Sequence, residues 1–584
     1  MPVSELTVKI SGEAGQGIKT IGTVLSKVCR DAGLCVFSDQ DYMSRIRGGN
    51  NFYRLRIARY PVRACRAQAD ILVGLNAESI AFHQDTVSDQ GIIVADREAF
   101  GLKHRGESFL DLPFFRIADA QGGSLYVSAV VCGIIAGLMR VPAGSLDSVL
   151  KRMFRAKSDA VARQNAAAAA AGYEAAQSNF ESDRFAFTGG GEHKKQLLLN
   201  GNEAIALGAL AAGCKFYSAY PMTPSTSILT TIAHYSERFH LCVEQAEDEL
   251  AAVNMAIGAS FAGVRSMTGT SGGGIALMQE GISLAGMTET PVVIADAQRP
   301  APATGLPTRT EQGDLEFVIS AGHGEFAKAV YTPGSIEEAF SLTQRAFHIA
   351  EKYQIPVFIL TDQHLADCVR NVDSFDPEQV PVERGIISRE ESVSVKEYRR
   401  YQLTESGVSP RAVPSWIEGV VYADSDEHNE EGHITESGKV RAAMVEKRLY
   451  RKMDGLRKEI EPPLARHHEH AQWILLGWGS TCGVIGEVVD DLQSESLGQV
   501  HLPQVWPFPR DALGDLLHGK KIIVAEQNAT GQLEKLLRRE IGLSAQARIL
   551  KYDGRSFTFD ELRRKVRERM RAEEGGDGSA EISK

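Results

Sequence analysis

The chain opens on an alternation of apolar and polar residues, Leu6-Thr7-Val8-Lys9-Ile10, whose period of two predicts a strand. A glycine-rich turn follows, and then apolar positions at helical spacing from Ile21 to Ala32. Strand patterns at Asn51 to Ile57, Ile71 to Leu75 and Gly91 to Ala95 extend this α/β reading to about residue 175, where a helix carries the six-alanine run Ala166 to Ala171. A second series of strands, Lys215 to Ala219, Arg265 to Thr268, Val292 to Ala295 and Val357 to Thr361, alternates with helical stretches and predicts a doubly wound parallel sheet. A third begins at Trp473 to Ser480, adds strands at Val500 to Val505 and Lys521 to Glu526, and opens a helix after Asn528.

The stretches between these patterns set the expected boundaries. An N-terminal α/β domain spans 1–178, a polar linker with Thr188-Gly189-Gly190-Gly191 spans 179–195, and the doubly wound domain spans 196–378. A charged, irregular segment over 379–470 reads as a connecting arm at a subunit interface, with Arg441 to Lys458 a solvated helix. A last α/β domain covers 471–568, and 569–584 reads as a disordered tail.

At 584 residues the chain exceeds one core and requires several domains. With 24% charged residues, no apolar run nears the roughly 20 residues that cross a bilayer, so no membrane is expected. A net charge of -11 argues against a nucleic-acid surface. The eight cysteines are scattered with no Cys-x-x-Cys pair, which suits reduced thiols and, with no signal-peptide pattern, a cytoplasmic protein. It also argues against an iron-sulfur cluster on this chain.

Candidate chemistry gathers after the predicted strand ends of the 196–378 domain, where open parallel sheets bind ligands. Tyr220-Pro221-Met222-Thr223-Pro224-Ser225-Thr226 follows one strand and Gly269-Thr270-Ser271-Gly272-Gly273-Gly274 another; Asp296 to Thr308 follows a third and runs on to Gln312-Gly313-Asp314-Leu315. Between the first two lies Glu247-Asp248-Glu249-Leu250-Ala251-Ala252, continuing to Gly258 in a helix of small residues headed by carboxylates. By itself that run reads equally as an acid-capped, alanine-rich helix. Near the N-terminus, Gly12, Gly15 and Gly17 stand between strand and helix as anion-binding turns do, yet Ile18 occupies the place of a P-loop lysine and the glycine order is not that of a dinucleotide fold. His428 and His433 sit among acids at a spacing that fits no standard metal set, and no metal is expected there.

In this order and over most of the chain, these motifs resemble the alpha subunit of 2-oxoacid:ferredoxin oxidoreductases with an N-terminal gamma domain fused to it. The resemblance implies a transketolase-like, pyrimidine-binding thiamine diphosphate domain, a transketolase C-terminal-like domain and an N-terminal α/β gamma domain. It assigns Glu249 to the aminopyrimidine, the spacing to Gly258 selecting it over Glu247 and Asp248. Thr223, Arg299 and Thr304 are assigned to the substrate carboxylate, and Gly15, Gln16, Gly17, Arg47 and Gly48 to coenzyme A phosphates; a tight turn with a surface arginine is an equal reading of the last group. Met222 stands where the family commonly has Ile, and Pro300-Ala301-Pro302-Ala303 replaces a usual Gly-Gly-Pro-Ser.

The implied activity is reversible oxidative decarboxylation of a 2-oxoacid with coenzyme A. The fused layout and the stretch Gly305 to Leu315 favour 2-oxoglutarate, leaving pyruvate and branched-chain 2-oxoacids open, with a self-sufficient transketolase-like enzyme and a non-catalytic regulatory or binding subunit as rival classes. The Gly-Asp-Gly of residues 576–578 has no room for the rest of a thiamine diphosphate metal motif. The resemblance therefore implies a beta subunit holding Mg2+, the diphosphate and a 4Fe–4S cluster, an alpha2beta2 assembly, and ferredoxin as electron carrier.

Overall fold

A computed structural model describes residues 3–44, 48–102, 108–187, 196–393, 397–418 and 420–574, in two units. In chain order the strands are β1 (Glu5–Ala14), β2 (Cys35–Asp41), β3 (Gly48–Ala58), β4 (Ala69–Gly74), β5 (Val87–Ala95), β6 (Phe109–Asp111), β7 (Leu197–Leu199), β8 (Phe216–Ala219), β9 (Cys242–Gln245) and β10 (Ser266–Thr270). They continue with β11 (Val292–Gln298), β12 (Ala329–Tyr331), β13 (Pro356–Asp362), β14 (Val369–Val372), β15 (Leu464–Arg466), β16 (Trp473–Trp478), β17 (Leu497–Leu502), β18 (Gln504–Trp506), β19 (Lys521–Glu526) and β20 (Ala547–Leu550).

The first unit comprises Met1–Leu199, Cys368–Ser374 and Thr558–Arg563. Its sheet runs β6-β5-β4-β1-β3-β2-β14-β7, parallel from β6 to β1 and antiparallel from β1 to β7. β1 is covered on both faces, so its polar members are buried with its apolar ones. Lys9 meets this by donating from Nζ to Thr86 Oγ1 at 2.9 Å, and burial brings its pKa down to about 8. Ala168 and Ala169 of the six-alanine run are buried in the core with the helix Val127–Leu138, so the run serves close helix packing as well as propensity. Phe185 and Phe187, inside the stretch read as a polar linker, also lie in this core, and Val3 N donates to Ala186 O. Residues 188–195 lie outside the described residues.

The second unit comprises Asn200–Asp367, Phe375–Phe557 and Arg564–Lys584, and contains two sheets. The larger, β18-β12-β13-β11-β10-β8-β9, is parallel except for β18; the smaller, β15-β17-β16-β19-β20, is parallel except for β15. A shared core that includes Ile294, Phe358, Ile474, Trp478 and Val500 joins them. The larger is the predicted doubly wound sheet.

Two expectations change here. Val500 to Val505 is not one strand: β17 stays in the smaller sheet, and after Pro503 the chain crosses to pair β18 with β12 of the larger. Proline has no N–H for a ladder, which suits a break there. The helix read as solvated over Arg441 to Lys458 is instead buried along one face. Lys447 and Lys452 are inaccessible, each 2.6 Å from an oxygen of Glu289. Helical spacing of cations is the same whether they face water or a buried acid, so the sequence pattern could not separate the two. The helix Phe559–Glu574 extends into the segment read as a tail, of which 575–584 lie outside the described residues.

Candidate active site

The helix Glu249–Phe261 starts at an Asp248 N-cap, whose side chain accepts from Ala251 N at 2.7 Å. The three neighbouring acids thus separate by role: Glu247 is exposed, Asp248 caps, and Glu249 is buried with 3% of its surface accessible. Glu249 Oε1 accepts from Thr270 Oγ1 at 3.3 Å, a long hydrogen bond that leaves most of the carboxylate's acceptor capacity open. Thr270 ends β10, and the short helix Gly272–Leu277 that follows packs so closely that glycine is required in its first turn. A Cβ on Gly274 would stand 1.9 Å from Thr270 Oγ1 and 2.8 Å from Glu249 Oε1; one on Gly272 would stand 2.4 Å from an oxygen of Asp314.

Arg299 follows β11 and donates from Nη1 to the Thr223 carbonyl at 2.8 Å, joining the Tyr-Pro-Met-Thr-Pro loop after β8 to the loop after β11. Asn202 Nδ2 braces the same loop through Pro224 O at 2.8 Å. Burial lowers the pKa of Arg299, and the charges of Glu249 and Asp314 oppose that shift, which places both acids within electrostatic reach of the guanidinium. Thr223 is half-buried in this group, whereas Thr304 lies exposed on the loop after Pro300. The structure therefore brings Glu249, Arg299 and Thr223 together and leaves Thr304 at the margin.

Sequence reasoning missed the acids around this group. Asp296 is fully buried and neither carboxylate oxygen has a partner. Burial, and secondarily the neighbouring Asp314, raise its pKa well above the ordinary carboxylate range. Asp314 is itself pushed up to about 6 by burial, with Arg299 opposing, and Glu311 is pushed up to about 7 by burial and then by Asp314. An aspartate near the end of the apolar run Val292-Val293-Ile294-Ala295 was the available signal. The loop carrying Asp314 is fixed from both sides: Asp314 N donates to Gln298 Oε1 at 2.9 Å, and Gln312 Nε2 donates to Trp478 O at 2.8 Å.

In the first unit, Gly15 and Gly17 have φ of 95° and 79°, and Gly17 is the N-cap of the helix Ile18–Asp31 with no side chain capping it. The β1–β3 register sets Ala14 opposite Gly48, so this turn and Gly48 share one end of the sheet. Gln16 is occupied inside the turn: its Oε1 accepts from Glu13 N at 2.7 Å and Asn76 Nδ2 at 3.1 Å. Arg47 lies outside the described residues. Among the described residues, no group of three or more His, Cys, Asp or Glu side chains is placed to hold a metal.

An open parallel sheet with an acid-headed helix and loops gathered at its strand ends makes this an α/β protein with a ligand site at the carboxyl edge of the sheet. The family described as pyruvate flavodoxin/ferredoxin oxidoreductase, thiamine diphosphate-binding, matches residues 207–447. Pyruvate ferredoxin/flavodoxin oxidoreductase matches 7–175, and pyruvate:ferredoxin oxidoreductase core domain II matches 471–562. The 2-oxoacid:ferredoxin oxidoreductase subunit alpha of Sulfolobus sp is 32% identical, over 95% of this chain and 95% of its own. The chain belongs to the 2-oxoacid:ferredoxin oxidoreductase alpha subunits, with the gamma-like domain at its N-terminal end. The 2-oxoglutarate synthase subunit KorA of Methanocaldococcus jannaschii is 35% identical over 56% of this chain and 88% of its own. A solved 2-oxoglutarate:ferredoxin oxidoreductase from Magnetococcus marinus, with 2-oxoglutarate, coenzyme A and succinyl-CoA bound, superposes with a TM-score of 0.90 at 29% identity, covering 97% of this chain and 100% of that one.

Proposed function

We propose that this chain works as the alpha subunit of a 2-oxoglutarate:ferredoxin oxidoreductase, interconverting 2-oxoglutarate plus coenzyme A with succinyl-CoA, CO2 and reduced ferredoxin. The carrying observation is Glu249, buried at a helix start beside Thr270 and within electrostatic reach of Arg299. The residues present fit an aminopyrimidine, because a buried carboxylate with open acceptor sites needs an N–H donor. Thiamine diphosphate, when bound, supplies a carbon nucleophile for the 2-oxo carbon and an electron sink for decarboxylation.

Glu249 holds a proton at the pyrimidine ring nitrogen through a charge-assisted hydrogen bond. Arg299, anchored by Thr223 O through Nη1, keeps its remaining donors for the substrate carboxylate, and the Thr223 and Thr304 hydroxyls add to them. The turn at Gly15, Gln16 and Gly17, with Gly48 and Arg47, holds coenzyme A phosphates; Gln16 shapes the turn and the uncapped helix start presents its amides. The choice of 2-oxoglutarate rests on the KorA and Magnetococcus marinus likenesses.

The reading assigns Mg2+, the diphosphate and the 4Fe–4S cluster to a beta subunit in an alpha2beta2 assembly. In support, the helix that carries Glu249 leaves Leu250 and Met255 exposed, and Tyr220 and Leu277 add to the apolar surface of the same unit. Free cysteines throughout, six of them buried, support a cytoplasmic setting.

The test is 2-oxoglutarate- and coenzyme A-dependent reduction of a low-potential dye by the chain alone and co-expressed with a beta subunit. Activity is expected only in the complex, and Glu249→Gln should lower kcat by about 10²–10⁴ with an unchanged melting temperature. Turnover by this chain alone, or by the variant at the wild-type rate, would overturn the assignment; a preference for pyruvate would overturn only the substrate. Arg47→Ala should raise the KM for coenzyme A and leave that for the oxoacid alone.

A further inference from the structure

Cys482 is one of two cysteines not buried, and its surroundings differ from those of the other, Cys242, which is exposed. It is the second residue of the helix Thr481–Leu492 in the smaller sheet's layer, where the helix dipole favours negative charge. Gln499 of β17 donates from Nε2 to Cys482 Sγ at 3.6 Å and to Cys482 O at 3.0 Å. Two residues along β17, His501 is 1% exposed. Its Nε2 lies 3.0 Å from Glu338 Oε2, which also accepts from Gly334 N at 2.8 Å. His501 Nδ1 has no hydrogen-bond partner.

Gly334 shows how tightly the cysteine and histidine are apposed. A Cβ placed there would be 2.5 Å from Cys482 Cβ and 2.6 Å from His501 Cε1. Burial favours the neutral ring of His501, but the Cys482 sulfur and the Glu338 carboxylate overcome it and raise the imidazole well above its ordinary range. The groups that raise His501 are thus Cys482, at the start of the helix Thr481–Leu492, and Glu338, from the helix Ile336–Tyr353. Two of the buried cysteines show the contrast: burial alone pushes the Cys35 thiol up to about 11 and the Cys29 thiol up to about 12.

We propose that Cys482, His501 and Glu338 form a reactive-thiol site at which hydroperoxides oxidise Cys482 to the sulfenic acid. The Cys482 thiolate attacks one peroxide oxygen; the S–O bond forms, the O–O bond breaks, and the leaving hydroxide or alkoxide takes the proton from His501 Nδ1. Sulfur is oxidised by two electrons and the peroxide is reduced to water or an alcohol. Glu338 holds the imidazolium through Nε2 and is a positioning residue. The site adjoins the loop that Gln312 anchors at Trp478 O, three residues before Thr481.

The experiment is timed iodoacetamide labelling of the full chain across pH 6 to 9, with each cysteine quantified by mass spectrometry. At pH 6, Cys482 should react roughly tenfold or more faster than Cys242. Dilute hydrogen peroxide followed by a dimedone-type probe should label Cys482 first. His501→Gln should remove the advantage at pH 6 while leaving Cys242 unchanged; because His501 is buried, Glu338→Gln is the second variant, with circular dichroism and the Cys242 rate as controls for folding. Equal rates for Cys482 and Cys242 at pH 6, or a Cys482 rate untouched by Glu338→Gln in a folded protein, would overturn the proposal.

Discussion

Two buried carboxylates in the second unit are handled in opposite ways. Glu289 and Asp296 are both fully inaccessible. Burial raises the pKa of Glu289, but Lys452, Lys447 and Arg400 hold it far below the usual range, with both lysines at 2.6 Å and Arg400 donating to its backbone carbonyl. Asp296 has no cation against it and no hydrogen-bond partner, and its nearest charged influence is another acid, Asp314. The first is an ion cluster fastening the segment 400–452 to the helix end at Glu289. The second stands beside the loop residues proposed to meet substrate and cofactor, where unpaired buried acids with displaced pKa values are characteristic of chemistry rather than of architecture.

Removing the acid at the centre of the ion cluster should have the largest effect on stability. Glu289→Ala strands two buried lysines and should cost about 3–5 kcal/mol in denaturant unfolding, whereas replacing Glu289, Lys447 and Lys452 together by Met and Leu should cost far less. A single variant that unfolds like wild type would show that the cluster does not hold the segment.

At the acid pair the sign is reversed. The folded-state pKa of Asp314 is raised to about 6, so between roughly pH 4 and pH 6 the folded chain binds more protons than the unfolded one. Stability therefore falls as pH rises through that window, by roughly 2–3 kcal/mol in all at about 1.4 kcal/mol per pKa unit. Chemical denaturation of wild type and Asp314→Asn at closely spaced pH values should show the variant losing that slope. The depressed pKa of Glu289 contributes the other way, as stability kept above the ordinary carboxylate range and lost only in strong acid.

The smallest expected effect sharpens the contrast most. Asp296→Asn replaces a neutral acid by a near-isosteric neutral amide, so unfolding should change by less than about 1 kcal/mol, while the infrared carbonyl stretch of a protonated carboxylic acid disappears. A loss comparable to that of Glu289→Ala would mean that Asp296 is ionised and paired.

The outlines of the fold were legible because they depend on local rules. Period-two and period-3.6 patterns placed β1, β4, β8, β11, β13, β16 and β19 close to where they lie, and the segments after β8, β10 and β11 stood out through their Pro and Gly. Glu249, Thr223 and Arg299 sit at a helix start and in the loops after β8 and β11, but only the family resemblance gave them roles, since the run at Glu249 by itself reads equally as an acid-capped helix. By itself, then, the chain determined its succession of elements and the places where a parallel sheet could bind a ligand.

Tertiary structure alone decided which charges are paired. Lys447 and Lys452 look like a solvated face until Glu289, more than a hundred residues away, is set against them. Asp296 and Asp314 act on each other only because the loop between them folds back, and Glu338, Cys482 and His501 meet only when β17 lies beside the helices that carry the other two. The cost of burying a charge depends on distances through space to whatever else is buried with it, and a local pattern contains no such distances.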